Sequence, residues 1–300
     1  MGEGAWLLAS SLRGIKVAKT VRRPAVAGSF YEGTEGALRR QIEDCYTHSL
    51  GPGRVPSLSS KKEGNILGLI SPHAGYVYSG PVAAWGFYQV IEEEVPEVVV
   101  ILGPNHRGFG APVAIMPKGE WETPLGKVKI DEELAGKIIT TLPLIEPDEA
   151  AHRMEHSLEV QIPFLQYSYG ENLKIIPICM MRQDLRTSRR VGEALANTLE
   201  GKNGLIIAST DLTHYQPGEL AEKQDKRALE AILSRSPERL SEVVSRYGIS
   251  MCGPGPVMAM LTATSFLGAR KARLLKYATS GDITGDYSAV VGYASVCIER

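Results

Sequence analysis

The sequence has little cysteine, almost no net charge and no long hydrophobic run. Its four cysteines are too few and too scattered for a disulfide scaffold, and none forms a CxxC pair. This usage predicts a reducing, cytoplasmic compartment. The formal net charge is -1, so the overall balance favours neither nucleic acid nor an anionic membrane as a partner. No apolar run approaches the ~18 residues of a membrane-spanning helix.

The composition is that of an ordinary globular protein over most of the chain. Hydrophobic residues make up 43% and charged residues 22% of the 300 positions, which excludes a largely disordered chain. Residues 1–21 are different, because an apolar run at 5–9 precedes the basic residues, the reverse of the order in a signal peptide. We predict that residues 1–21 form a disordered extension, or reflect an upstream translation start, and that residues 22–300 form a single domain.

From residue 64 onward, apolar runs rich in β-branched residues alternate with amphipathic stretches. The predicted strands cover residues 66–70, 97–102, 127–130, 173–180, 204–209, 274–278 and 289–298. The predicted helices cover residues 79–91, 155–167, 185–199, 218–233, 237–247 and 256–267, and a further helix begins after Asp131, its N-cap. Pro163 should kink the helix at 155–167 or mark its real start. The alternation predicts an α/β fold, a single three-layer sandwich with helices on both faces of a central mixed sheet.

Three of the six histidines lie in turns that follow or end predicted strands. His73 lies in SPHAGY, His106 in GPNHRG and His214 in STDLTHY, where it follows Asp211 by three residues. Ligand sites of open α/β sheets lie beyond the carboxyl ends of the strands, so we expect these turns to converge. Independent surface or capping histidines are the alternative.

Cys252 lies in a fourth turn, MCGPGP, directly before an apolar helix whose start suits Pro256. The positive end of the helix dipole favours a thiolate, which is what a nucleophile or a soft metal ligand needs. The alternative is that Cys252 is a small buried hydrophobe. We expect the other cysteines, Cys45, Cys179 and Cys297, to be buried in helix or strand interiors.

The segment AHRMEHSLE at 151–159 carries two more histidines. His152 and His156 are four residues apart, which places them on one face of a helix. Arg153 follows His152, so the segment is not the HExxH motif of zinc proteases. We expect His156, Glu155 and Glu159 to support metal ligands from behind or to form a wall of a substrate site.

Six segments, in register, resemble the Memo family. They are RRPAVAGSFYEG (22–33), SPHAGYVYSG (71–80), LGPNHRG (102–108), EHSLEVQIPF (155–164), STDLTHY (209–215) and CGPGP (252–256). The resemblance covers about residues 22–298. It implies a fold like that of the class III extradiol dioxygenases and a metal-binding pocket.

The resemblance also implies roles for single residues. It places metal ligands on His73, His106 and Cys252, with Asp211 and His214 beside them as catalytic candidates. It places Tyr78, His156, Glu159 and Phe30 around a bound cofactor or ligand. The sequence departs from the dioxygenases where Cys252 stands in place of a carboxylate, because a thiolate favours copper, or iron with altered redox behaviour. Phe30 replaces the tryptophan of the relatives that bind peptides, which weakens the case for a peptide ligand.

The leading hypothesis is a metal-dependent oxidoreductase that holds iron or copper. In prokaryotes the resemblance implies a radical-SAM protein and a third component as partners. His214 would serve as acid or base, and Asp211 and Glu155 would fix the ligating imidazoles. The alternative is a module that binds a small molecule or a peptide without turnover. The third hypothesis is a metal-assisted hydrolase in which Glu159 or His214 activates water.

Overall fold

A computed structural model describes residues 20–57 and 65–300. The strands are β1 (Val21–Arg22), β2 (Ile66–Ser71), β3 (Val98–Pro104), β4 (Val113–Ile115), β5 (Glu120–Thr123), β6 (Gly126–Ile130), β7 (Glu146–Pro147), β8 (Lys174–Met180), β9 (Gly204–Ser209), β10 (His214–Gln216), β11 (Lys271–Thr279) and β12 (Val290–Glu299). The helices are α1 (Glu35–Thr47), α2 (Tyr76–Ile91), α3 (Glu132–Thr141), α4 (Ala150–Arg153), α5 (Ile162–Tyr169), α6 (Leu185–Leu199), α7 (Gly218–Leu233), α8 (Pro237–Tyr247), α9 (Pro254–Phe266) and α10 (Gly281–Thr284). The predicted extension at 1–21 lies outside the described residues except for its last two.

The strands form one mixed sheet. Its centre is parallel, in the order β8, β3, β9, β2. β12 runs antiparallel to β2, and β11 pairs with its other edge. On the opposite side β6 pairs with β8 in parallel, while β4 pairs with it antiparallel. The carboxyl ends of β3, β9 and β2 therefore meet side by side at one edge of the sheet, with β9 in the middle.

Helices cover both faces of this sheet. Gly68 of β2 faces α9, where a Cβ atom would lie 2.8 Å from the sulfur of Met260. The next residue, Leu69, faces α2 and approaches Gly86 so closely that no Cβ fits there. Successive strand residues point to opposite faces, so α9 and α2 lie on opposite faces. Helices α6 and α8 pack beside α9, and α1 and α5 pack beside α2. The predicted three-layer α/β architecture is confirmed.

The central strands are buried on both sides, and this explains their sequences. Every residue of β3 (VVVILGP) and of β9 (GLIIAS) is buried. A parallel strand with helices on both faces needs apolar side chains in both directions, so it reads as a continuous hydrophobic run. Among the described residues, no helix is long and apolar enough to cross a bilayer.

The helix predicted at 155–167 is wrong in its first half. Helix α4 ends at Arg153, an irregular turn follows, a 3-10 turn covers Glu159–Gln161, and α5 begins at Ile162. Pro163 lies in the first turn of α5, where its missing N–H breaks no helical hydrogen bond, so it marks the real start. His152 and His156 therefore do not share a helix face. The turn sends His152 into the core and leaves His156 at the edge of the sheet.

Candidate metal centre

Three imidazoles converge at the carboxyl edge of the sheet. His73 follows the end of β2 by two residues, His106 follows the end of β3 by two, and His156 lies in the turn before the 3-10 segment. One ligand atom from each lies within 4.8 Å of the others. The ring centroids are 4.6–5.5 Å apart. Two of these histidines were expected here as metal ligands, and the third as a ligand contact.

Hydrogen bonds around Ser209 fix the tautomer of His73. The Ser209 hydroxyl donates its one proton to the Ser157 carbonyl at 2.6 Å. It accepts from the Gln161 side-chain amide at 2.8 Å, and it lies 2.8 Å from His73 Nδ1. Because its proton is already committed, the hydroxyl must accept from Nδ1–H. The lone pair of neutral His73 is therefore on Nε2.

Glu155 fixes His106 in the same way. Its carboxylate accepts from His106 Nδ1 at 2.9 Å and from the His106 backbone N–H at 2.7 Å. The Ser157 N–H is a further donor, at 2.8 Å. A carboxylate only accepts, so Nδ1 carries a proton, and the lone pair of neutral His106 is on Nε2. Burial raises the pKa of Glu155, but the hydrogen bond and the charge of His106 outweigh it and lower the pKa to about 2.

His156 completes the group. Its Nδ1 lies 3.5 Å from a Glu155 oxygen and makes no hydrogen bond to the described part of the chain. The Phe30 ring packs against it at 4.8 Å between centroids. The His106 side chain is 29% exposed and that of His156 15%, whereas His73 is almost fully buried. Access to the group is therefore from the side of His106.

The electrostatics of the site favour neutral imidazoles. Burial lowers the pKa of His73 well below its usual range, and the neighbouring His156 and His106 lower it further. Burial lowers the pKa of His156 to about 4. Both rings are therefore neutral at pH 7, and each has a nitrogen lone pair that a cation could use.

Cys252 touches this group, but as a thiol. Its sulfur lies 3.2 Å from His73 Nε2 and accepts a hydrogen bond from the Asp211 N–H at 3.1 Å. The helix N-terminus predicts a thiolate. Instead, burial and the Asp211 carboxylate raise the pKa of the thiol above its usual range. The dipole is outweighed because a charged sulfur here would lose its hydration and face a second anion.

Asp211 and His214 lie on the neighbouring turn. The Asp211 carboxylate accepts from the backbone N–H of His73 at 2.8 Å, so it holds the turn and not the imidazole. Burial raises its pKa to about 6. His214 Nδ1 lies 2.8 Å and 2.9 Å from the carbonyls of Leu212 and Ser250. Carbonyls only accept, so the free lone pair of neutral His214 is on Nε2.

The other predicted ligand contacts, Tyr78, Phe30 and Glu159, lie in different surroundings. Tyr78 is 44% exposed at the start of α2, and Phe30 packs on His156. Glu159 is fully buried, and its carboxylate accepts from the Arg22 guanidinium, the Tyr31 hydroxyl and the N–H groups of the 25–26 segment. It anchors the N-terminal segment instead of facing a ligand.

Two residues of the centre were missed from the sequence, Ser209 and Gln161. Ser209 ends β9, the strand between the two that carry His73 and His106. Its signals in the sequence are its place at the carboxyl end of a buried strand and at the start of the STDLTHY segment. Gln161 is 1% exposed and ties the Pro72 carbonyl to Ser209. The signal for it in the sequence is its place in EHSLEVQIPF, one of the segments that carry the family resemblance.

The donor set fits a transition metal. Imidazole nitrogens suit iron, copper and zinc, and the adjacent thiol adds a soft donor. Metal–nitrogen bonds of ~2.0–2.1 Å need nitrogens no more than about 4.2 Å apart. The widest pair of ligand atoms is 4.8 Å apart or less, so a small closure of the side chains would suffice.

Comparison with known proteins agrees with the resemblance seen in the sequence. The family model described as "Memo-like protein" matches residues 22–297. A MEMO1 family protein of Methanopyrus kandleri is 48% identical over 281 residues, which cover 93% of this chain and 99% of the relative. A MEMO1 family protein of Ignicoccus hospitalis is 49% identical over 278 residues, or 92% and 98% of the two chains.

A solved structure, that of the uncharacterized protein JW3007 from Escherichia coli K12, shares the fold. It superposes with a TM-score of 0.54 over 78% of this chain and 99% of its own, at 14% identity. That identity supports the fold alone. The match to the family model over nearly the whole chain, and the relatives that align almost end to end, show that this protein belongs to the Memo-like family.

Proposed function

We propose that the protein binds a redox-active metal, iron or copper, at this centre and catalyses an oxidoreductase reaction. The observation that carries the proposal is the pair of fixed tautomers. Ser209 and Glu155 hold the protons of His73 and His106 on Nδ1, so both Nε2 lone pairs remain for a cation. Ligating histidines in metalloproteins are oriented in this way by acceptors behind them.

His73, His106 and Cys252 would be the ligands, with His156 as a fourth donor. The Cys252 sulfur is in contact with His73 Nε2, so an ion bonded to that nitrogen would lie beside the thiol. Binding would displace the thiol proton. Glu155 would support two imidazoles, because His156 Nδ1 also faces its carboxylate. The resulting mixture of imidazole and thiolate is softer than the two-histidine, one-carboxylate set of non-heme iron oxygenases.

The bound metal would supply one-electron transfer, and the chain would supply orientation and proton transfer. Asp211 would hold the His73 turn through the backbone. His214 would accept or donate a proton at Nε2. Phe30 and Tyr78 would line the approach of a ligand.

The direct experiment measures metal content and electron paramagnetic resonance of anaerobically purified protein. We expect close to one iron or copper per chain, with a signal that changes on oxidation. His106→Ala and His156→Ala should lower the metal affinity at least tenfold. His48→Ala is the matched control, because His48 is exposed on the surface. Equal metal loss in the control, or no binding at micromolar excess in wild type, would refute the proposal.

Cysteine variants separate copper from iron. Cys252→Ser should weaken Cu(I) binding far more than Fe(II) binding, because it removes the soft donor and keeps the size. Cys45→Ser, at a buried cysteine of α1, should change neither affinity. His214→Ala should leave the metal stoichiometry intact and alter reactivity. Complete metal loss in that variant would make His214 a ligand.

A binding module without turnover is the second candidate. Several large side chains close in sequence to residues of the centre, or at the carboxyl end of a neighbouring strand, are exposed: Tyr78 at the start of α2, Phe109, Met154, Met181 after β8, and Tyr215 in β10. Exposed apolar side chains beside a site favour a ligand or a protein partner. The metalloprotein would then bind its metal without cycling between oxidation states. Failure of stoichiometric reductant and oxidant to interconvert the spectroscopic signal would favour this candidate.

The family resemblance also suggests partner proteins and a cellular location. We propose a radical-SAM protein and a third component as partners, and the exposed large side chains near the centre would supply contacts for them. Co-purification of tagged components tests this, with Phe109→Glu as the surface variant. A cytoplasmic location is supported by the four cysteines, each of which is free.

A further inference from the structure

A separate cluster of arginines lines a cavity beside the start of α6. The cavity has a volume of about 390 Å³. Its lining residues are Leu144, Arg182, Asp184, Arg186, Thr187 and Arg190. None of them belongs to the metal centre.

The arginines are spaced to share one side of the helix start. Arg186 and Arg190 are four residues apart on α6, so their side chains project from the same face. Arg182 precedes Arg186 by four residues, in the loop after β8. The three arginines therefore line the same cavity, and all three are exposed at the surface.

The loop that carries Arg182 is held at two points. The Arg182 N–H donates to the Pro112 carbonyl at 2.8 Å. The next side chain, Gln183, donates to the Cys252 carbonyl at 3.0 Å and accepts from the Gly255 N–H at 2.9 Å. These hydrogen bonds fix the backbone at Arg182 before a ligand binds, which reduces the conformational entropy lost on binding.

Three arginines line the cavity against one carboxylate, that of Asp184, whose charge acts on Arg182, so an excess of positive charge remains. Among the described residues, none of its three guanidinium groups lies within 4.0 Å of a carboxylate, whereas Arg189 on the same helix pairs with Glu238 at 3.0 Å. Asp184, the acidic lining residue, is already used as a helix cap. Its two oxygens accept from the Thr187 N–H at 2.9 Å and from the Thr187 hydroxyl at 2.7 Å.

We infer that this cavity binds the phosphate group of a small phosphorylated ligand. Like charges on successive helix turns repel one another, and a dianion between them removes that repulsion. Guanidinium groups are always charged and match phosphate oxygens with two parallel N–H donors. The volume exceeds that of a lone phosphate and falls in the range of small-ligand pockets. Leu144 supplies an apolar wall for the remainder of the ligand.

Calorimetric titration of the full chain with pyrophosphate tests the inference without any added metal. At fixed ionic strength we expect saturable binding with one site per chain. Arg186→Gln/Arg190→Gln should weaken it at least tenfold. Arg189→Gln/Arg246→Gln is the control, because it removes the same number of positive charges from arginines that pair with glutamates. The control should bind like wild type.

Three results would overturn the inference. The first is an equal loss of affinity in both double variants, which would mean a diffuse charge effect. The second is no heat beyond that of sodium chloride at the same ionic strength. The third is tighter binding of a short oligonucleotide than of pyrophosphate, which would mean a polyanion surface. Circular dichroism of each variant confirms that a loss of binding is not a loss of fold.

Discussion

Arg22 ties the turn that carries Glu155 and His156 to the N-terminal segment. Its guanidinium donates to the carbonyls of His152 and Glu155 at 3.1 Å and 2.7 Å and pairs with the Glu159 carboxylate. The charge also stacks on the Trp121 ring at 4.4 Å. All these groups are buried, so bulk water could not take over the hydrogen bonds that the arginine donates.

Arg22→Met should therefore destabilise the protein strongly. It leaves the Glu159 charge buried without its cation, which costs about 3–5 kcal/mol in comparable buried pairs. Arg23→Met is the neighbouring control, because the Arg23 side chain is 82% exposed and its pair with Glu122 should contribute little. Urea unfolding of both variants measures the difference. Equal destabilisation of the two variants would contradict this role of Arg22.

At the scale of elements, α6 and α9 pack with almost no space between them. A Cβ atom on Gly192 of α6 would lie 2.5 Å from the carbonyl oxygen of Ala259 and 2.6 Å from the Cβ of Thr262, both in α9. The contact matters for the site, since α9 begins directly after the Cys252 turn. Glycine at this position serves close approach of two helices rather than flexibility.

The same substitution should have opposite effects in two helices. The new methyl group of Gly192→Ala would collide with backbone atoms of α9 and force the two helices apart. We expect the free energy of unfolding to fall by about 1–3 kcal/mol. Gly136→Ala, in the exposed face of α3, meets nothing within 4 Å and should gain about 0.5–1 kcal/mol from helix propensity. Thermal and urea unfolding measure both. A stabilised Gly192→Ala protein would show that the helices can separate freely.

At the scale of the whole molecule, buried neutral histidines make stability depend on pH. His152 is fully buried, and neither of its nitrogens makes a hydrogen bond within the described chain. Burial lowers its pKa to about 3, the Arg22 charge acts in the same direction, and Asp148 and Glu155 oppose it. The unfolded chain binds that proton near pH ~6.5. Stability from this group is therefore full above that pH and is lost as pH falls towards 3.

His152→Phe should flatten this dependence. Between its folded-state and unfolded-state pKa values, each such imidazole changes the free energy of unfolding by about 1.4 kcal/mol per pH unit. His73 and His156 add slopes of the same sign, and the raised pKa of Asp211 adds the opposite sign. These remain in both proteins, so the difference between wild type and variant isolates His152. Unfolding free energies between pH 4 and 7 should show the reduced slope, and parallel curves would refute it.

Limited proteolysis tests the prediction that residues 22–300 form a single domain. We expect cleavage within the first 21 residues and one resistant core, because the sheet runs from β1 near the start of the described chain to β12 near its end. Two stable fragments of comparable size would contradict the prediction.

Local sequence determined much of the architecture. The helices at 185–199, 218–233 and 237–247 and the strand at 204–209 have the predicted bounds, because periodicity and caps are properties of neighbours along the chain. Asp131 caps α3 as expected, accepting from the Leu134 N–H. α1 was not predicted, and α9 begins at Pro254 instead of at Pro256.

Only the tertiary structure decided the composition of the centre. The strand-end turns of His73 and His106 could be found in the sequence, but the order β3, β9, β2 puts Ser209 between them and thereby sets the His73 tautomer. His156 joins because α4 ends before it. The Cys252 thiol shows the physical reason most directly. A helix N-terminus is visible along the chain, whereas burial and the approach of Asp211 arise only when distant segments pack, and these determine its charge.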